Sequence, residues 1–308
     1  MACKLRVEYP AAIYHVTNRG DRHEPIFRDD ADRVRFLQTL GETFLKTAWH
    51  VHALCLMRNP FHLVPETPRV NLVPGMKWFL GTYTSRFNRR HRLCGHLFSG
   101  RYKALIVDGS GTGYLRSVCD YVHLNPARAK LVKPEQALRD YAWSSFPEYL
   151  KPPGKRQPWL RVDRLLGELG IPRDSKAGRR QFELRTEERR KQEDADAAWK
   201  PIRRGWALGD KQFKKELLAQ MHGNFGAHHD GEEKQASAEE HAERLVQAAL
   251  GRMRWTETDL KTCRKGDPGK VRLARELRSK TTMTLQWIAR RLQMGTGSMV
   301  TFCLRQRA

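Results

Sequence analysis

Tyr121 and Asn125 stand four positions apart in YVHLN, a spacing that puts a phenol and a side-chain amide on one face of a helix. A phenol with an ordinary pKa of about 10 is a weak nucleophile at neutral pH and needs a nearby cation to act as one. Tyrosine is equally at home at the edge of a hydrophobic core, so the pair by itself leaves both roles open. His62, in FHLVPE, could serve a metal or a proton transfer, or simply be a satisfied core histidine. His15, His50 and His52 lie on neighbouring candidate strands, and the sequence does not show which way they face. Arg101 and Lys103 alternate in GRYKALIV, so both side chains share one strand face where they could grip phosphates. Arg19 and Arg128 are further candidates for phosphate contact, each balanced against an ordinary solvated charge.

The elements that must position these residues follow from periodicity. Residues 12–18, 49–57, 61–66 and 102–107 read as strands. Asp29 and Asp30 can cap a helix that aligns Phe36, Leu37, Leu40 and Phe44. A second helix begins near Pro74 and brings Met76, Phe79, Leu80, Tyr83 and Phe87 into helical register, which favours core packing for Tyr83 and Phe87 over base stacking. A third helix over 112–125 ends at Pro126. The order β-α-β-β-α-β predicts a ferredoxin-like α+β fold, an antiparallel sheet with helices on one face.

The chain has 308 residues and a formal net charge of +23, which favours a polyanionic partner, above all nucleic acid. No apolar run is long enough for a membrane span, MACKLRVEYP lacks a secretion signal, and six scattered cysteines form neither a zinc ribbon nor a disulfide framework. A cytoplasmic, nucleoid-associated protein is the expectation. KPPGKRQP at 151–158 punctuates the chain, 175–200 reads as an exposed charged helix, and 222–237, with His228 and His229, reads as a linker. The expected domains are therefore 1–150, a connector over 151–237, and 238–308. Residues 251–308 carry 14 Lys and Arg against 4 Asp and Glu. Helical patterns at about 270–279, 284–293 and 297–305, with Ala289 at a close crossing, predict an all-α helix-turn-helix unit in which Arg290 and Arg291 meet DNA.

Three segments together, CLMRNPFHLVPET, GHLFSGRYKALIV and YLRSVCDYVHLNPARAKLV followed by YAWSSFPEYL, resemble the single-tyrosine transposases of the HUH superfamily, REP-associated type. The resemblance spans about residues 8–150, and WIARRLQMGTGSMV is similar to the helix-turn-helix tail that some of these proteins carry. It implies that Tyr121 attacks a phosphorus of single-stranded or hairpin DNA, leaving a 5′-phosphotyrosine and a free 3′-hydroxyl. It also implies a divalent ion, Mg²⁺ or Mn²⁺, held by two histidines flanking an apolar strand residue, with Asn125 completing the shell. Here the triplet is Pro60-Phe61-His62, so His62 keeps one ligand position while Pro60 stands at the other without a donor. The expectation is a strand transferase whose metal site is weakened at Pro60; the alternative is a silent relative that only binds DNA. Relatives assemble the site within one chain or across a homodimer, and both arrangements stay open at this point.

Overall fold

The computed structural model describes residues 7–192, 199–223 and 232–306. Four strands, β1 (Ala12–Asn18), β2 (His50–Leu56), β3 (Phe61–Thr67) and β4 (Lys103–Val107), form an antiparallel sheet in the order β2-β3-β1-β4. Helix α1 (Asp30–Thr47) links β1 to β2, and α2 (Leu72–His91) links β3 to β4. This is the expected ferredoxin-like α+β arrangement. Asp29 is the residue that caps α1, accepting a hydrogen bond from the Asp32 amide at 3.0 Å.

The strand alternation sorts the core into two layers. Tyr14, Val16, Phe61 and Leu63 face α1 and α2 and join Phe36, Phe79 and Tyr83, with Phe36 and Phe79 ring centroids 4.8 Å apart. Tyr83 is fully buried and donates its hydroxyl to the Ile26 carbonyl, which settles its packing role. Ile13, Val64, Leu105 and Val107 face the opposite way, toward α3 (Tyr114–His123). Helix α3 ends earlier than its apolar pattern suggests. Leu124 separates it from a short turn, α4 (Asn125–Arg128), which admits Pro126 in its first turn where no amide donor is needed.

Pro65 sits in central strand β3 opposite Val51, beside a register shift between Val51 and Ala53, so its missing donor falls at a bulge. Pro60 does not share a strand face with His62, as the sequence pattern implied. Strand β3 begins at Phe61, and Pro60 belongs to the turn before it, where the Asn59–Pro60 bond is cis.

The connector is packed against the sheet rather than standing apart. Following α5 (Phe146–Leu150), Leu160 bridges to Val51, and α6 (Asp163–Glu168) joins the α3 layer. Helix α7 (Lys176–Lys191) is charged on its outer side, yet it buries Phe182 and Thr186. After α8 (Lys200–Arg204), a two-residue strand β5 (Ala207–Leu208) pairs in parallel with β4 and adds a fifth strand to the sheet.

Helix α9 (Lys211–Gly223) precedes α10 (Glu232–Met253), so part of the expected linker is helical, while His228 and His229 lie outside the described residues. Helices α11 (Glu257–Thr262), α12 (Pro268–Lys280), α13 (Leu285–Arg291) and α14 (Gly297–Arg305) enclose a separate core with α10. Lys46 of α1 donates to carbonyls at the end of α12, at Arg278, Ser279 and Thr281, and so docks this unit onto the α1 side of the sheet. Burial lowers the Lys46 ammonium to about 8. Among the described residues the cysteines are free thiols, and no helix is long and apolar enough to cross a membrane.

Candidate active site

One row across the sheet collects much of the expected chemistry. Thr17 of β1 pairs with His62 on one side and with Lys103 on the other. Adjacent strands keep ladder partners about 5 Å apart, so His62 and Lys103 stand roughly 10 Å from each other on the α3 face. His15 lies two residues before Thr17, on the same face by the strand period. Its Nε2 is 3.0 Å from Nδ1 of His62, and the two rings stack at 5.2 Å between centroids. The imidazole that Pro60 lacks is thus present on a different strand.

The Tyr121 ring closes over this pair edge-on, 5.5 Å from His15 and 5.7 Å from His62. All three groups are buried: His15 is 4 % exposed, His62 6 % and Tyr121 7 %. Burial, and after it the charge of Arg128, pushes His15 down to about 4. His62 is held well below its ordinary value by burial, by His15 and by Arg128. Both rings are therefore neutral at physiological pH. Neutral imidazoles can share a proton, and one can accept a proton from a phenol.

Arg128 is the cation of the site. Its guanidinium lies 4.0 Å from the Tyr121 ring centroid. Nη2 donates to Asn125 Oδ1 and to the Tyr121 carbonyl, both at 2.6 Å. Trp199, just before α8, packs on the outer side, 5.6 Å from the Tyr121 ring and 5.2 Å from the guanidinium. Trp199 is 4 % exposed and roofs the phenol.

The donor set does not make a full shell for a divalent ion. The two imidazole nitrogens face each other, and the Asn125 carbonyl oxygen is engaged by a guanidinium. Among the described residues no group of three or more His, Cys, Asp or Glu side chains converges to hold a metal. The adjacent charge of Arg128 opposes a second cation.

His50 and His52 belong elsewhere. His52 bonds Glu66 at 2.8 Å, four residues along β3 from His62 and roughly 13 Å away at about 3.3 Å per residue. Burial opposes ionisation of Glu66, but its bond to His52, with Arg164 behind, holds the carboxyl down to about 2. Arg161 and Arg164 complete this cluster at 3.3 Å and 3.1 Å, fastening the connector to the sheet. Arg19 and Arg101 are exposed on loops at the β1 and β4 ends that border the His62 row, and Lys103 is exposed at the start of β4. Arg290 is exposed on α13. Arg291 is not free to meet a phosphate, because Glu243 and Glu257 each bind it at 2.6 Å.

Sequence reading named His15 beside His50 and His52 without choosing among them, and it missed Trp199. His15 has a signal, since the period of two puts it on the Ile13 face, but only strand order brings it to His62. Trp199 has none.

The fold and this site define an α+β domain carrying a buried tyrosine beside paired histidines. The model of the family described as Transposase IS200 like matches residues 8–125 of the chain. A solved structure described as the REP associates tyrosine transposase bound to a REP hairpin matches with 15 % identity and a TM-score of 0.40, over 48 % of this chain and 84 % of that one. No curated protein matches the chain.

Proposed function

We propose that this chain is a DNA strand transferase that forms a covalent link through Tyr121 to single-stranded or hairpin DNA. The observation that carries this reading is the Tyr121 ring set edge-on to two neutral imidazoles with a guanidinium on its face. In this role Tyr121 is the nucleophile, and the His15–His62 pair takes its proton. Asn125 fixes the guanidinium of Arg128. Lys103, Arg101 and Arg19 line the approach and bind phosphates, which suits a chain of net charge +23. The helices α12 to α14 serve as a helix-turn-helix unit, with Arg290 on its open surface. Every group of the site comes from one chain, which supports catalysis without a second copy. A divalent ion is what the resemblance implies for such transposases; the residues here supply two imidazoles toward one, without a third protein ligand.

The test is incubation with hairpin-bearing single strands, followed by denaturing electrophoresis for a protein–DNA adduct. Tyr121→Phe keeps the ring packing and removes only the hydroxyl, and it should abolish the adduct while leaving binding intact. An adduct of equal yield from that variant overturns the assignment. One observation favours a binding-only protein: Trp199 covers the phenol. That reading predicts hairpin binding with no adduct under any condition.

A further inference from the structure

The divalent ion has no complete place in this site, but a positive charge is already there. Arg128 is held by two hydrogen bonds from Nη2, to Asn125 Oδ1 and to the Tyr121 carbonyl, and it stands against both the Tyr121 and the Trp199 ring, at 4.0 Å and 5.2 Å from their centroids. A guanidinium fixed in this way cannot drift away from the phenol as an exposed lysine would, and its delocalised charge tolerates burial against aromatic faces. Asn125, the residue at the family position for an amide ligand, spends its carbonyl oxygen on this cation. The backbone explains why. The break at Leu124 starts a new turn at Asn125, and Arg128, three residues on, folds back over it.

We infer that Arg128 replaces the divalent ion as the charge carrier of the Tyr121 site, so that phosphotyrosine formation by this chain runs without metal. The inference rests on the strand-transferase reading above. In the step, Tyr121 Oη forms a bond to phosphorus and the bond from phosphorus to the 3′-oxygen breaks. The phenolic proton passes to the His15–His62 pair and from there to the departing 3′-oxygen. No electrons change hands and no water is consumed. Arg128 neutralises charge on the phosphate and on the phenolic oxygen as the new bond forms, the role a preorganised cation fills in a dry site.

The experiment uses the full chain and a hairpin-bearing oligonucleotide, with adduct yield measured in EDTA and in MnCl₂, and manganese binding followed by calorimetry. The unaltered protein should form the same adduct in both conditions and show little heat with manganese. Arg128→Met should lower the adduct rate in EDTA by roughly 100-fold, the usual scale for losing one such group. It should also bind manganese more tightly than the unaltered protein, since the Asn125 amide is released and the repulsion is gone. Arg128→Lys, which keeps the charge without the planar fork, should fall between the two and shows that charge rather than folding is being read. An adduct that forms only with manganese overturns the inference and leaves the strand-transferase reading standing. So does tight manganese binding by the unaltered protein that Arg128→Met fails to improve. Absence of adduct in every condition removes the strand-transferase reading and this inference with it.

Discussion

Acidification from about pH 7.5 to about pH 5.5 should cost this chain stability through its buried histidines, and His123 gives the clearest case. It lies on α3 between Val122 and Leu124, is 1 % exposed, and bonds the Ser145 hydroxyl through Nε2 at 2.9 Å. Phe146, Tyr149 and Phe182 pack around its ring. Burial lowers it to about 3. A histidine whose folded value is depressed is neutral in both states above about pH 6.5, where its stability contribution is complete. Below that the unfolded chain takes up a proton that the folded chain refuses, and stability falls until the pH reaches about 3. One unit below the unfolded value the loss is about 1.4 kcal/mol per histidine. His15, lowered to about 4, acts in the same direction and takes the loss to about 3 kcal/mol, and His62, held well below its ordinary value, adds to it. That is a large part of the 5–15 kcal/mol, roughly, that holds a domain folded. Carboxylates such as Glu66, held near 2, titrate below this window and do not confuse it. Urea unfolding at the two pH values reads the effect directly, and His123→Phe should remove about 1.4 kcal/mol of it. An unchanged urea midpoint between the two conditions, or an identical pH dependence in His123→Phe, refutes the reasoning.

Three further outcomes are expected. Trp199→Ala removes the roof over Tyr121 and should raise the adduct rate several-fold while costing about 3 kcal/mol of stability; an unchanged rate shows that Trp199 is not a cover. Lys46→Met leaves the carbonyls at the end of α12 without their cation, at a cost of roughly 1–2 kcal/mol, and limited proteolysis should then release the 251–308 region more readily. Equal resistance of both proteins to the protease rules out Lys46 as the anchor. Affinity of the full chain for hairpin DNA should fall steeply between low and physiological salt, measured by fluorescence anisotropy, and a flat salt response contradicts phosphate binding by the basic loops.

The sheet was legible because its strands are short runs rich in apolar residues bounded by turn residues, as strands buried on both faces are. Ile13, Val64 and Leu105 on one face, against Tyr14, Leu63 and Phe61 on the other, leave a single sensible pairing. Tyr121 was legible through the specificity of YVHLNPARA. The choice of His15 over His50 and His52 was not, because two imidazoles become neighbours across strands only once register is fixed, and register is a property of the pair rather than of either segment. The absence of a ligand at Pro60 pointed to a weakened metal site; the structure instead shows Asn125 committed to Arg128, a contact made by a helix break at Leu124 that periodicity does not signal. The connector read as exposed charge because Phe182, Trp199 and the two residues of β5 are too sparse to register as an apolar pattern, although they close the site and extend the sheet.

The most direct test of the account is to locate the covalent link. Hairpin-bearing single-stranded DNA is incubated with the unaltered chain, the protein and the DNA are then digested with protease and nuclease, and tandem mass spectrometry is used to find the residue that carries a nucleotide. The account predicts a single modified peptide within YLRSVCDYVHLNPAR, with a 5′-phosphate ester on Tyr121 and not on Tyr114. A nucleotide on another side chain, or hairpin cleavage with no protein-bound nucleotide, contradicts it.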